Sequence, residues 1–184
     1  MLKSLRLSLV LLIICGIAYP LVVTGISTVS MPDKSKGSLI ESNGKVVGSE
    51  LIGQMFKDPK YFSGRVSSIE YNAAGSGSNN YAPSNKDMIE RTKKDIEAFI
   101  AANPDVKKGE IPADLLTNSG SGLDPHISPL AAEIQVPRIA KTRGIEEAKV
   151  YQLIKEKTEE RQLGIFGEPR VNVLELNMAL DQMK

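Results

Sequence analysis

Hydrophobic residues are concentrated near the start of the chain. Twenty consecutive residues, Leu7 to Ile26, carry no charge. A helix of this length spans about 30 Å at about 1.5 Å per residue, which matches the hydrocarbon core of a bilayer. No second uncharged stretch of comparable length follows in the sequence. The pattern predicts one transmembrane helix within an N-terminal anchor, residues 1–30, with a kink at Pro20.

Two other interpretations of the apolar segment stay open. A cleaved signal peptide has an apolar region of about 7 to 15 residues followed by small residues, and Thr28-Val29-Ser30 partly resembles a cleavage site. A lipoprotein signal would require a small residue before Cys15, where Ile14 stands. The length of the uncharged segment favours an uncleaved anchor over both.

Basic residues flank the apolar segment on both sides. Lys3 and Arg6 precede it, whereas Lys34 and Lys36 follow it and reduce the asymmetry. Because basic residues concentrate on the cytoplasmic side of membrane helices, we expect the N-terminus to lie in the cytoplasm. The protein would then be a single-pass protein of the cell membrane whose soluble domain lies outside the cytoplasm.

Beyond the anchor, polar and apolar positions alternate in shorter patterns. Residues 31–48 predict a polar stalk, and residues 49–184 predict one soluble domain. Within that domain, Ser49–Phe56 is a predicted short helix and Ile111–Thr117 a predicted short strand. Residues 58–84 combine turn-forming residues with four aromatics, Tyr61, Phe62, Tyr71 and Tyr81, and predict a long ordered loop packed against the domain.

The other helices of the domain are predicted from apolar periodicity and from capping residues. Four are expected: one from a Ser84 cap to about Ala102, one that starts at Ser128-Pro129 and is interrupted before Pro137, one over Ile145–Arg161, and one capped by Asn172. Gly144 is expected to end the second of these. The fold class predicted is therefore α+β: one N-terminal transmembrane helix followed by a helix-rich mixed α/β extracytoplasmic domain.

Composition excludes several classes of function. The chain has 184 residues, 41% hydrophobic and 24% charged, with a net charge of +1 and no Trp. Such values are typical of an ordinary globular protein, and they offer no basic surface for nucleic acid. A single Cys and a single His exclude a disulfide framework and a structural zinc site.

The segment Ser119 to Pro129, SGSGLDPHISP, is the most distinctive polar stretch. No phosphate-loop or dinucleotide-binding fingerprint is present, so the chain is not itself a nucleotide hydrolase. Ser119 or Ser121, with Asp124 and His126, provides the residue types of a serine hydrolase, but the sequence lacks the glycine-flanked nucleophile motif. We interpret the segment as a turn in which Asp124 and the serines accept bonds from backbone NH groups. An anchored hydrolase that uses Ser121 and His126 is the alternative.

Four arginines lie in segments rich in glycine or proline: Arg65, Arg138, Arg143 and Arg170. The planar guanidinium suits carboxylate or phosphate recognition. Structural pairing with acids such as Glu168 or Asp181 is the interpretation we favour. A solute-sensing module that binds a small molecule near residues 61–85 is a further alternative.

Six segments together carry a family resemblance: YFSGR (61–65), AAGSGSN (73–79), APSN (82–85), SGSGLDPHISP (119–129), QVPRIAKTRG (135–144) and GEPRVNVLELNMALD (167–181). With the N-terminal anchor and the length, they resemble the C subunit of the bacterial potassium-transporting P-type ATPase, the Kdp complex. The family usually has proline where Val66 stands and often asparagine where His126 stands. These departures argue against an essential proton-transfer role for His126.

The resemblance implies a non-catalytic accessory subunit of an ATP-driven potassium importer. Its expected partners are a potassium-binding channel-like subunit, an ATP-hydrolysing pump subunit and membrane lipids. The subunit would stabilise their assembly and act as a catalytic chaperone that raises the pump subunit's affinity for ATP. No cofactor of its own is expected, because ATP belongs to the pump subunit.

Two sets of site residues follow. If the domain touches nucleotide, the contacts are expected at Ser119, Gly120, Ser121, Gly122, Gln135 and Arg138. Structural or interface roles are expected for Arg65, Asn79, Asp124, His126, Arg143, Glu168, Arg170 and Asn172. The predicted topology opposes a direct contact, because it places the domain on the side of the membrane away from cytoplasmic ATP.

Overall fold

The computed structural model of the chain describes residues 2–183. The chain divides into two compact units at the junction of Ser49 and Glu50. The first unit contains a long apolar helix and a hairpin, and the second contains five further α-helices and a three-stranded sheet within the described residues. The predicted combination of helix and strand behind an N-terminal apolar helix is confirmed.

The apolar segment is helical from Leu2 to Ser30, over 29 residues with a mean hydropathy of 2.5. This length and composition are sufficient to cross a membrane. The helix consists of α1 (Leu2–Ile13), a π-helical turn (Ile14–Ala18) and α2 (Tyr19–Ser30). Proline lacks an NH and crowds the carbonyl four residues earlier. The widened turn just before Pro20 accommodates both effects, and the kink at Pro20 stays a prediction.

The segment predicted as a polar stalk holds ordered structure. A short helix, α3 (Pro32–Ser35), precedes an antiparallel hairpin of β1 (Leu39–Ser42) and β2 (Lys45–Ser49). Asn43 and Gly44 connect the strands with φ values of 52° and 73°. Both residues therefore occupy the left-handed region that a two-residue hairpin turn requires and that Asn-Gly favours.

The helix predicted over Ser49–Phe56 is wrong. Ser49 ends β2, and no helix follows before Lys86 in the described chain. The Gly53 NH instead donates to the Leu123 carbonyl at 2.7 Å, and a Cβ on Gly53 would lie 2.7 Å from the Asp124 carbonyl oxygen. A close backbone approach, which only glycine permits, replaces the helix.

The strand predicted over Ile111–Thr117 is also wrong. A 3₁₀ turn forms at Ala113–Leu115, preceded by another at Lys108–Glu110. Pro112 leads into the turn with φ −62°, and the Thr117 NH bonds the Ala113 carbonyl at 3.0 Å. Local turn bonds thus satisfy this backbone without a partner strand.

The longer predicted helices are confirmed with shifted ends. The first begins after Asn85, not Ser84, because the Asn85 Oδ1 accepts the bond from the Met88 NH at 3.0 Å. The third ends at Lys157 rather than Arg161, because Thr158 enters a strand. The helices are α4 (Lys86–Ala102), α5 (Pro129–Glu133), α6 (Val136–Arg143), α7 (Glu147–Lys157) and α8 (Val173–Gln182).

Capping residues behave as the sequence predicts at three helix ends. Ser128 Oγ accepts from the Ala131 NH at 3.1 Å. Gly144 ends α6 in the left-handed conformation with φ 67°. Asn172 Oδ1 accepts from the Leu174 and Glu175 NH groups at 3.1 and 3.3 Å. These caps satisfy NH and carbonyl groups that helix ends leave unpaired.

The sheet of the second unit is small and antiparallel. Its order is β3–β5–β4, with β3 at His126–Ile127, β4 at Thr158–Glu159 and β5 at Arg170–Asn172. One hydrophobic cluster joins the sheet to α5, α6, α7 and α8. Its fully buried members are Phe62, Ala131, Ala132, Val136, Ile139, Val150, Val171, Leu176 and Leu180.

The loop predicted over residues 58–84 is confirmed, because none of these residues lies in a helix or strand. Phe62 is completely buried in the core of the second unit. Its NH and carbonyl both bond the side-chain amide of Asn177, at 2.8 and 3.0 Å. The start of the loop is therefore fixed to α8, which places the following residues beside the 119–129 segment.

Candidate functional site

The serine-rich half of the 119–129 segment is a turn closed by its own hydroxyl groups. Ser119 Oγ accepts from the Gly122 NH at 3.0 Å. Ser121 Oγ accepts from the Leu123 NH at 3.1 Å. The two hydroxyl oxygens lie 3.3 Å apart. Both serines thus use their oxygens to satisfy local backbone donors.

Two long-range bonds join this turn to the 58–84 loop. Ser67 Oγ donates to the Gly122 carbonyl at 2.6 Å, and the Gly77 NH donates to the Ser121 carbonyl at 2.9 Å. Gly122 has φ 72°, and a Cβ there would lie 2.9 Å from Ile69 Cγ1 and 3.0 Å from the Gly77 carbonyl oxygen. Gly122 is therefore required both by backbone conformation and by the closeness of the two segments.

The acidic residue of the motif lies between two cationic or potentially cationic side chains. Asp124 Oδ2 is 2.8 Å from Arg65 Nη1, and Asp124 Oδ1 is 3.4 Å from His126 Nδ1. The same Oδ1 accepts from the His126 NH at 3.0 Å. Burial raises the pKa of Asp124, but the bonds from His126 and then from Arg65 outweigh it and hold the pKa at about 2. Asp124 is therefore ionised at neutral pH.

Asp124 and His126 line an open cleft of about 450 Å³. Arg65, Asp114 and Arg170 also border it, so its wall contains both signs of charge. The contact between Asp124 and His126 resembles half of a catalytic triad. Among residues 2–183, however, no serine or threonine hydroxyl bonds His126, and Ser121 is engaged by the backbone as described above. The geometry offers the hydrolase alternative no activated nucleophile.

Gln135 lies elsewhere, at the junction of α5 and α6, and is fully buried. Its Oε1 accepts from the Ser63 NH and Ser63 Oγ, both at 2.9 Å, and from Arg138 Nη2 at 2.8 Å. Its Nε2 donates to the carbonyls of Ala131 and Ser63, at 2.9 and 3.2 Å. The amide is saturated by the protein, so a ligand would have to displace internal bonds to reach it.

Arg138 supports the same loop from the next turn of helix. Its guanidinium donates to the carbonyls of Pro59 and Tyr61, and to Asn103 Oδ1 at 2.8 Å. Burial lowers the pKa of Arg138, and its partners here are neutral oxygens. Arg138 also borders a cavity of about 300 Å³ between α4 and residues 56–66. In the described chain, no hydrogen bond joins Gln135 or Arg138 to the Ser119–Gly122 turn.

The other predicted residues hold local contacts. The Asn79 side chain donates to the Tyr81 hydroxyl at 2.9 Å. Arg143 pairs with Asp181 at 2.6 Å and stacks on the Tyr61 ring at 5.1 Å.

Near β5, Glu168 pairs with Arg161, and Arg170 pairs with Glu159 at 2.9 Å. The Asn172 side chain donates to the Glu50 carbonyl at 2.8 Å. Three of the four arginines in Gly- or Pro-rich segments thus lie opposite a carboxylate, and Arg138 is the exception.

Three structurally important residues escape the sequence reasoning: Gly53, Asn103 and Asn177. Asn177 lies in α8 among apolar neighbours and is 2% exposed. A single amide on an otherwise apolar helix face is a signal that could have revealed it, because buried amides need partners. Asn103 bonds Arg138, and Gly53 approaches Asp124. These contacts connect residues far apart in sequence, and nothing local marks them.

Fold and site together define a small mixed α/β protein with one candidate membrane helix, whose motif residues hold loops and helices in place. No group of metal-ligating side chains occurs among residues 2–183. The family described as KdpC, the c chain of the K+-transporting ATPase, matches residues 1–182. The chain therefore belongs to the KdpC family of subunits of the potassium-transporting ATPase.

Curated relatives agree with the family match. The potassium-transporting ATPase KdpC subunit of Bacillus cereus ATCC 14579 is 56% identical over 180 residues, which are 97% of this chain and 93% of that protein. The corresponding subunit of Bacillus anthracis is 55% identical over the same shares. That of Caldanaerobacter subterraneus subsp. tengcongensis is 52% identical over 178 residues, 97% and 92% of the two chains. The family predicted from the motifs is confirmed, and the chain is an accessory subunit of the potassium import complex.

Proposed function

We propose that this chain is a single-pass membrane subunit that stabilises the assembly of its potassium importer from outside the cytoplasm. Its partners would be a potassium-binding channel-like subunit and an ATP-hydrolysing pump subunit, while lipids surround its helix. The observation that carries the proposal is the family match over residues 1–182, which includes the 29-residue apolar helix Leu2–Ser30. The second unit, as an extracytoplasmic domain, would cap the potassium entrance.

The proposed orientation rests on the distribution of charge around the helix. Lys3 and Arg6 are exposed and immediately precede the uncharged stretch, and moving basic residues across a bilayer is unfavourable. Lys3 and Arg6 therefore support a cytoplasmic N-terminus, while Lys34 and Lys36 beyond the helix reduce the asymmetry. Residues after the helix then lie on the opposite face of the membrane.

Cysteine labelling tests this orientation. Cys15 is the only cysteine, so Cys15→Ser provides a background for Ser4→Cys and Ser76→Cys, at two exposed positions. We expect a membrane-impermeant maleimide to label the cysteine at position 76, and not the one at position 4, in cells with an intact cytoplasmic membrane. Permeabilised cells should label both, which controls for reactivity. Labelling of position 4 alone in intact cells would show the reverse orientation.

The second part of the proposal concerns ATP. We infer that the subunit raises the ATP affinity of the pump subunit through its contacts within the complex, without binding nucleotide itself. Two observations support this: Gln135 is buried with its amide saturated, and Ser119 and Ser121 bond their own turn. The subunit can change the ATP affinity of the pump subunit if its contacts with that subunit differ between the ATP-bound and ATP-free states.

Steady-state kinetics test the coupling. We expect the other subunits, co-reconstituted with this chain, to hydrolyse ATP with a KM roughly fivefold or more below that of the same subunits alone. The kcat should change little, because the effect is on binding. A KM that is equal with and without the chain would exclude the chaperone role while leaving the assembly role intact.

A further inference from the structure

The tip of the hairpin between β4 and β5 exposes a run of large apolar side chains. Leu163, Ile165 and Phe166 are 87%, 71% and 62% exposed. Together with Gly164 they form what we call the apolar tip, residues 163–166. Single exposed apolar residues are ordinary, but several adjacent ones on a soluble surface mark a site of interaction. The contacts and roles described above do not use these side chains.

The apolar tip has a defined backbone conformation. The Gln162 NH bonds the Phe166 carbonyl at 2.9 Å, and the Phe166 NH bonds the Gln162 carbonyl at 3.0 Å. Leu163 and Gly164 have φ values of 55° and 72°. A bulky residue such as leucine rarely adopts the left-handed region, and its presence there is unfavourable. The chain thus holds a strained, apolar turn in a fixed shape, which reduces the entropy lost when it binds.

The base of the hairpin is polar and internally paired. Arg161 pairs with Glu168, and Arg170 pairs with Glu159 at 2.9 Å. Residues 159–170 contain three acidic and two basic residues, a net charge of −1 for the segment. A segment that inserts into an anionic membrane surface normally surrounds its apolar residues with Lys and Arg. The charge of this hairpin therefore disfavours a lipid surface.

We propose that the apolar tip docks into an apolar pocket on another subunit of the potassium-transporting ATPase. The chain belongs to a family of subunits of that complex, so a permanent protein neighbour exists. Aromatic side chains are enriched among the residues that anchor interfaces, and here the exposed Phe166 lies on a backbone turn with a polar, paired base. Phe166 would be the central anchor, with Leu163 and Ile165 beside it. The proposal depends on assembly into the complex, and it is independent of orientation and of the ATP effect.

Site-specific photocrosslinking tests the proposal. The full-length chain, co-expressed with the other subunits of its complex, carries p-benzoylphenylalanine in place of Phe166. We expect irradiation of native membranes to produce one adduct with another polypeptide of the complex. The matched control replaces Leu130, which is 55% exposed and has no other exposed large apolar residue next to it in the sequence. We expect at least tenfold less of the same adduct from that position.

Several outcomes would overturn the proposal. These are a crosslink to lipid, a crosslink only to a second copy of this chain, and no crosslink at position 166 although the complex co-purifies. Failure of the wild-type chain to co-purify with other subunits would instead contradict the proposed assembly function. The two failures are therefore distinguishable.

Substitution provides an independent measurement. The double variant Ile165→Ser, Phe166→Ser should co-purify with its partners at least tenfold less after stringent detergent washing, because two anchors lose their apolar burial. Leu130→Ser should stay within twofold of the wild type. All three chains should show the same thermal melting, since the substituted side chains are exposed. Unchanged co-purification of the double variant would contradict the docking role.

Discussion

Replacing Gln135 by leucine is expected to lower the melting temperature of the protein by roughly 5 to 15 °C, which corresponds to about 2–4 kcal/mol of unfolding free energy. Leucine has a similar size but no polar atoms, so the NH and the carbonyl of Ser63 lose their partner in a partly buried site beside the buried Gln135. Arg138 loses an acceptor for its partly buried guanidinium at the same time. Leaving a buried polar group without a partner destabilises the folded state by more than a typical hydrogen bond stabilises it.

The measurement is circular dichroism of the full-length chain in detergent, since the protein contains no Trp. Gln152→Leu is the matched control, because Gln152 is exposed in α7 and bonds only Glu156 in the described chain. We expect that variant to melt within about 2 °C of the wild type. If Gln135 served mainly as a nucleotide contact, its leucine variant would melt normally and change only the ATP dependence of the complex.

Replacing Gly122 by alanine is expected to destabilise the second unit by about 2–4 kcal/mol. Alanine in the left-handed region costs about 1–2 kcal/mol relative to glycine, and Gly122 has φ 72°. The new Cβ would also lie 2.9 Å from Ile69 Cγ1 and 3.0 Å from the Gly77 carbonyl oxygen. Relieving that overlap requires the 58–84 loop to move away from the turn, which weakens the bonds that join them.

Gly120→Ala controls for the substitution itself. A Cβ on Gly120 meets no atom within 4 Å, and the residue lacks a positive φ. Its alanine variant should match the wild type within about 0.5 kcal/mol or be slightly more stable, because the unfolded chain loses freedom. Equal melting of the two alanine variants would show that the junction between turn and loop contributes little to stability.

The two variants separate two possible roles of glycine in the 119–129 segment. A glycine that lets a phosphate approach the backbone is dispensable for folding, whereas a glycine that lets two loops approach is not. Gly122 is of the second kind, because a Cβ there would lie against Ile69 and Gly77 of the 58–84 loop. A Cβ on Gly120 would meet no other atom of the protein within 4 Å. A nucleotide role at Gly120 could therefore be tested by substitution without a folding defect.

Local sequence patterns were sufficient to identify the apolar helix, the longer helices of the second unit and the family. Helix formation depends on side chains three or four residues apart and on caps next to the helix, such as Ser128, Gly144 and Asn172. All of these are readable locally. The family could be identified because six segments with its motifs follow one another in a fixed order, and recognising them requires no knowledge of their contacts.

The pairing of polar groups depends on the tertiary structure. Gln135 bonds Ser63 across 72 positions, and Asn177 bonds Phe62 across 115. Sequence spacing carries no information about such pairs. For the same reason, the predictions of a helix at Ser49–Phe56 and of a strand at Ile111–Thr117 were wrong. It also hid the apolar tip, because exposure is a property of the folded surface. The chain's local patterns fix its helices, and contacts distant in sequence fix its loops and the surfaces they present.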